Sequence, residues 1–256
     1  MTNVLTIAWL TFREALRQKL AVNLLVFAVA LVTASFVIST LTFGEQYRVI
    51  VNIALSAMEL FGTLIAVFLG AGLVAGEVQR RTVYAIVAKP VSRAEYVLGR
   101  YAGLVVTTTL NLAVMAAVFA GVLASYLGGL GFLGETPFLG TLGAMALQFA
   151  MIGAVSVLFS TFTTATLSAI FGLSLVVAGH LASDLVRYWS KEGLGWMGKS
   201  LYVLVPNLEA LNFKEAMVYK DAVAASTLAS AWAYGVLYAA GVVLVGAAIF
   251  SRRDLR

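Results

Sequence analysis

Uncharged apolar stretches succeed one another along the chain, each too long for an ordinary soluble helix or strand. Ala21–Phe43 carries no charge, and after the polar turn Gly44–Arg48 the run Val49–Ala75 is interrupted only by Glu59. A polar stretch, Glu77–Arg100, precedes a third run, Tyr101–Leu127, which ends in the Gly-rich turn Gly128–Pro137. Thr136–Ser183 then contains 48 residues without Asp, Glu, Lys or Arg. As one helix it would be about 70 Å long, more than twice the hydrocarbon thickness of a bilayer. It must therefore fold back, and Ser160–Thr166, rich in hydroxyl-bearing residues, is the expected bend. A last run covers Ala222–Phe250. A spanning helix needs about 20 apolar residues, so the pattern predicts six spans, near residues 21–43, 49–75, 101–127, 139–159, 167–186 and 222–250.

Ahead of the first span, Leu5, Trp9, Phe12, Leu16 and Leu20 recur every three or four residues, with Arg13 and Arg17 off the stripe. This predicts an amphipathic helix within residues 1–20, lying in the membrane interface. Met1–Leu10 lacks the basic n-region of a signal peptide. Residues 187–221 form a mixed segment between the fifth and sixth spans, and the wider stretch Asp184–Asp221 has five acids and five bases. Leu208, Leu211, Glu215 and Val218 are helically spaced within it, which predicts a short amphipathic helix at the membrane surface.

Composition fixes the class. Of 256 residues 61% are hydrophobic and 11% charged, with a mean hydropathy of +0.96. A soluble domain of this size would run out of polar residues for its surface. The expected fold is an all-α integral membrane protein formed as one transmembrane domain over residues 1–256. The net charge of +5 is a matter of topology rather than nucleic acid. Eleven of the seventeen Lys and Arg residues lie at the termini or in Glu77–Arg100, whereas Arg48 stands alone in the opposite short loops. Basic short loops face the cytoplasm, so both termini and residues 77–92 are expected there, with 187–221 on the other side. The absence of Cys excludes disulfide and thiolate chemistry.

The stretch Gly76–Gly103 holds the most pattern. Glu77 precedes Arg80 and Arg81 by three and four residues, a spacing that supports a helix. Val83, Ile86 and Val87 form an apolar patch, and Pro90 should end that helix near Lys89. Ser92 and Glu95 form a capping box that starts the next helix at Arg93. A short helix with an apolar knob and flanking cations suits docking into a groove of a soluble partner; an ordinary basic loop held by anionic headgroups is the alternative. Gly99/Gly103 and Gly72/Gly76 are small-xxx-small pairs, weak as a signal among 23 glycines.

Within the membrane, Glu59 lies about 15 Å into the second span, sharing a face with Asn52, Ser56 and Thr63. Either this stripe lines a translocation path or dimer seam, or it makes interhelical hydrogen bonds with Glu59 protonated. His180 and Asp184, four apart, are expected to pair structurally. A single His with one nearby carboxylate is too little for a metal site.

The layout, with Glu77, Arg80-Arg81-Thr82, Lys89-Pro90-Val91-Ser92-Arg93, Gly99-Arg100 and Val205-Pro206-Asn207-Leu208, resembles the permease subunits of type-2 ABC transporters. More narrowly it resembles the branch of multi-copper enzyme maturation permeases. The resemblance implies an exporter in the bacterial plasma (inner) membrane. Residues 77–92 would be the coupling helix, with Glu77, Arg80, Arg81, Thr82, Val83, Ile86, Lys89, Pro90 and Arg93 meeting a separate ATP-binding subunit. The Ser160–Thr166 bend would make a second contact with that subunit, and Trp189–Ala222 would be helical on the outer face. A second permease copy or a related chain would complete a dimer, and periplasmic accessory proteins stay open as partners. ATP and Mg would bind the partner, since this chain has no Gly-x-x-x-x-Gly-Lys-[Ser/Thr] loop. The competing classes are an ATP-independent channel or carrier, and an intramembrane enzyme. The latter lacks any Gly-x-Ser-x-Gly or His-Glu-x-x-His motif.

Overall fold

The computed structural model describes residues 2–42, 44–79, 91–191 and 205–252, with side chains 183–187 and 189–191 outside the description. Among the described residues the protein is helical without strands. The helices are α1 (Thr2–Ala15), α2 (Lys19–Ser39), α3 (Gln46–Leu73), α4 (Ala75–Gln79), α5 (Arg93–Leu127), α6 (Thr136–Ser160), α7 (Ala165–Lys191), α8 (Lys214–Tyr219) and α9 (Ala225–Arg252). Short 3-10 turns lie at Gly131–Gly134 and Glu209–Leu211. Six helices are long and apolar enough to cross a bilayer.

Boundaries follow local chemistry. Ser92 Oγ accepts the Glu95 N–H at 3.2 Å and Glu95 Oε2 accepts the Ser92 N–H at 2.9 Å, so the capping box starts α5 at Arg93 as expected. Gly128, at φ +74°, ends it in the left-handed conformation that a side chain disfavours. The bend in the uncharged stretch falls at Thr161–Thr164, inside the expected window. There Thr161 Oγ1 and Thr163 Oγ1 donate back to the carbonyls of Leu158 and Phe159. Hydroxyl residues thus turn the chain where Gly and Pro are lacking, by supplying the ended helix with partners.

Helices α3 and α6 form the centre: 67% of each spanning stretch is buried, against 33% or less in the other four. They cross closely because Gly62 leaves room for Phe149; a Cβ there would lie 2.1 Å from the Phe149 ring. Helix α5 packs on both, α2 covers α3 and α5, α7 covers α3 and α6, and α9 covers α5 and α6.

Helix α1 lies on the first turns of α5. Its buried side is Ala8, Thr11 and Ala15. A Cβ on Gly99 would meet Ile7 Cβ at 2.8 Å, and one on Gly103 would meet the Ala8 carbonyl at 2.6 Å. The pair that carried little weight in the sequence is therefore the contact surface for α1. Leu5, Trp9 and Leu16 stay exposed on α1.

The segment before α9 departs from the surface position expected of it. Residues 205–219 are wedged between spans. The Asn207 N–H donates to Tyr234 Oη at 2.8 Å, Thr141 Oγ1 donates to the Phe213 carbonyl at 3.1 Å, and Tyr47 Oη donates to the Met217 carbonyl at 3.1 Å. Leu208, Leu211 and Met217 are buried. The helical spacing that predicted a surface helix reflects instead a re-entrant piece whose apolar residues fill the bundle.

Candidate functional site

Two polar clusters lie apart along the bundle, one near its middle and one at the end that carries α1 and α4. The first surrounds Glu59, 13 residues or about 20 Å along α3 from Gln46. Lys214 Nζ, at the start of α8, pairs with Glu59 Oε2. Gln148 Nε2 of α6 donates to Glu59 Oε1 at 3.0 Å, and His180 Nε2 of α7 lies 3.2 Å from the same oxygen. Four elements thus converge on one carboxyl. Lysine and the amide N–H can only donate, so both meet acceptor oxygens of Glu59, and the interhelical hydrogen bonding that the sequence offered as one reading is present. His180 Nδ1 faces the Val176 carbonyl at 3.0 Å. Both ring nitrogens face acceptors, and both contacts are hydrogen bonds together only in the imidazolium.

The expected His180–Asp184 pair lies outside the described residues, because the Asp184 side chain is not among them. Asn52 and Ser56 are exposed on the half of α3 nearer Gln46, and Thr63 is buried with its Oγ1 unpartnered among the described residues. The four stripe residues therefore share a face, but only Glu59 joins the cluster. Asn52 lines a cleft of about 240 Å³ with Asn212, Lys214, Glu215, Val218 and Tyr219. Above it, Arg48 lies over the Tyr219 ring at 4.9 Å and Lys220 over the Tyr47 ring at 4.3 Å, two reciprocal cation–π contacts that hold α8 against α3.

The second cluster is at the end where α1, α4 and the start of α5 meet. Arg100 of α5, only 3% exposed, pairs with Glu77 of α4 and with Glu14 of α1 at 2.8 Å. Its Nη1 also donates to Thr11 Oγ1 at 3.2 Å, and Tyr96 Oη donates to Glu77 Oε2. A buried guanidinium needs such partners, since an uncompensated charge there would be strongly destabilising. Beside it, Ser160 Oγ at the end of α6 accepts the N–H groups of Val74 at 3.0 Å and Ala75 at 2.9 Å. These two donors lie where α3 gives way to α4, and the serine hydroxyl completes the break. Arg93 Nη1 donates to the Ser251 carbonyl at 3.2 Å, joining the starts of α5 and the end of α9.

Of the expected docking residues, Glu77 and Arg93 thus have positions, on the two limbs that flank residues 80–90. Arg80, Arg81, Thr82, Val83, Ile86, Lys89 and Pro90 lie outside the described residues. The sequence did not single out Lys214, Gln148 or Glu14 as site residues. Gln148 had a signal, as the sole long-chain amide within the 48-residue uncharged stretch. Lys214 had none among five balanced pairs of charges. No group of three or more His, Cys, Asp or Glu residues suited to a metal occurs among the described residues.

No curated protein matches the chain. Residues 5–255 match the family model described as ABC-2 family transporter protein. With its six bilayer-length helices and this match over nearly its whole length, the chain belongs to the ABC-2 transporter family and is a permease subunit of an ABC transporter.

Proposed function

We propose that this chain is the permease of an exporter in the plasma membrane, with both termini cytoplasmic, driven by ATP hydrolysed on a separate subunit. That subunit docks on residues 77–93 and on the Thr161–Thr164 bend. The observation that carries this reading is the coupling of those two places. Ser160, at the bend, caps the break before α4, while Arg100 ties α4 to α5 and α1. A displacement of the cytoplasmic segment would be transmitted at once to α3, α5, α6 and α1.

At the far end, residues 205–219 fill the space between α3, α6, α7 and α9, so cargo leaving along α3 must pass them. The Glu59 cluster fastens this plug. Arg48, Asn52 and Ser56 are exposed along the outer half of α3, a face that lipid tails would solvate badly. A second copy or a related permease facing that stripe would convert it into a polar path. The Lys-Pro-Val-Ser-Arg run (Lys89–Arg93), with the cations flanking the docking segment, is what supports the narrower reading as a permease of the multi-copper enzyme maturation branch.

The test is a pull-down of the chain from native membranes, with transport and ATPase assays on the complex. A Val83→Asp/Ile86→Asp variant is expected to lose the ATPase and transport. Normal binding and transport by that variant would overturn the docking assignment, as would labelling of an introduced Cys at residue 85 from the outer face.

A further inference from the structure

We infer that the cytoplasmic junction of α1, α4 and α5 is a binding site for the phosphate of an anionic phospholipid. A cleft of about 460 Å³ opens there, lined by Leu10, Arg13, Glu14, Arg17, Glu77 and Arg100. Its charges are unequal. Arg100 is neutralised by Glu14 and Glu77, whereas Arg13 and Arg17 are exposed and have no carboxylate partner among the described residues. Two guanidiniums on the same edge of the cleft are therefore left to be met by an outside anion. Guanidinium forks suit phosphate oxygens.

Arg100 is buried, and its Nε has no hydrogen-bond partner among the described residues. A buried polar atom without a partner is uncommon and asks for a ligand or water. The apolar surroundings favour a lipid over a free ion. Leu10 lines the cleft and is 56% exposed, and Trp9 beside it is 61% exposed. An acyl chain would leave the headgroup across them. A tryptophan and basic residues side by side are the usual furniture of the headgroup layer. The site would hold α1 against both the membrane and the Arg100 cluster, and so make the cytoplasmic mechanism sensitive to anionic lipid.

The experiment uses the purified full chain in detergent, titrated with dioleoylphosphatidylglycerol, dioleoylphosphatidylcholine or inorganic phosphate. Retained lipid is read by native mass spectrometry and melting by intrinsic fluorescence. Phosphatidylglycerol is expected to be retained and to raise Tm, and phosphatidylcholine to do neither. Arg13→Gln/Arg17→Gln should bind phosphatidylglycerol about 30-fold more weakly, from two cations near a membrane-level anion. Arg13→Lys/Arg17→Lys should keep most of the affinity, and Lys19→Gln should leave it unchanged. Equal retention of the two lipids, or undiminished retention by the Gln variant, overturns the site. Equal stabilisation by inorganic phosphate alone overturns its assignment to lipid.

Discussion

Glu59 holds four elements together near the middle of the bundle. Its carboxylate is met by Lys214, Gln148 and His180 from three other elements, and its side chain is 12% exposed. Removing one member of a buried pair leaves the other charge without compensation, at a cost of roughly 3–5 kcal/mol. Glu59→Leu should therefore lower stability by about that amount, because it strands Lys214. Glu59→Leu/Lys214→Met removes both charges and should recover most of the loss, since a well-packed apolar pair often replaces a buried ion pair at little cost. Thermal melting of the four members of the cycle in detergent checks this. Additive losses would show that the two residues do not act as a pair. Transport distinguishes the roles: if the pair fastens the plug, the double variant should leak cargo or lose its coupling to ATP even with stability restored.

At the scale of elements, α1 is held by contact rather than by sequence separation. Gly103 lets the Ala8 carbonyl and Thr11 approach, and Thr11 and Glu14 then reach Arg100. Gly103→Leu should push α1 away, at about 1–3 kcal/mol for overpacking, and break both contacts to Arg100. Limited proteolysis checks it: the variant should be cut within residues 2–15 many times faster, with the rest of the bundle still protected. An unchanged pattern would mean α1 is anchored by lipid alone. This contact also marks what the sequence could express. Runs of apolar residues made the six spans legible, and Ser92 with Glu95 fixed the start of α5 to the residue. The re-entrant piece was illegible because its apolar residues read equally well as a surface stripe; only Tyr234, Thr141 and Tyr47, far away in sequence, make it internal. For the same reason Glu59 was visible as an anomalous charge in an apolar run, whereas Lys214 was hidden in a segment already rich in charges. Partners that come from different helices leave no spacing to read.

For the whole molecule, the question is how a push at one end opens the other. Helices α3 and α6 run the length of the bundle, and each carries one member of both polar clusters or of their supports: Glu59 and Val74 on or beside α3, Gln148 and Ser160 on α6. They are joined near the middle by Glu59–Gln148 and beside α4 by Ser160. If the proposed docking moves α4, a displacement relayed through Ser160 would slide or tilt α3 against α6 and load the Glu59 cluster, which also holds residues 205–219. Ser160→Ala cuts this relay at its source. It leaves two buried backbone N–H groups unpaired, each costing about 1–3 kcal/mol, without touching residues 77–93 or the Glu59 cluster. The expected outcome is a complex that assembles and hydrolyses ATP at close to the normal rate while transport falls at least tenfold. Ser125→Ala, which removes an exposed hydroxyl bonded only within α5, should change neither. Parallel ATPase and vesicle-transport assays on the reconstituted complex check this. If ATPase activity and transport fell together, Ser160 would serve folding or docking, and the two ends of the bundle would have to be coupled through α5 and Arg100 instead.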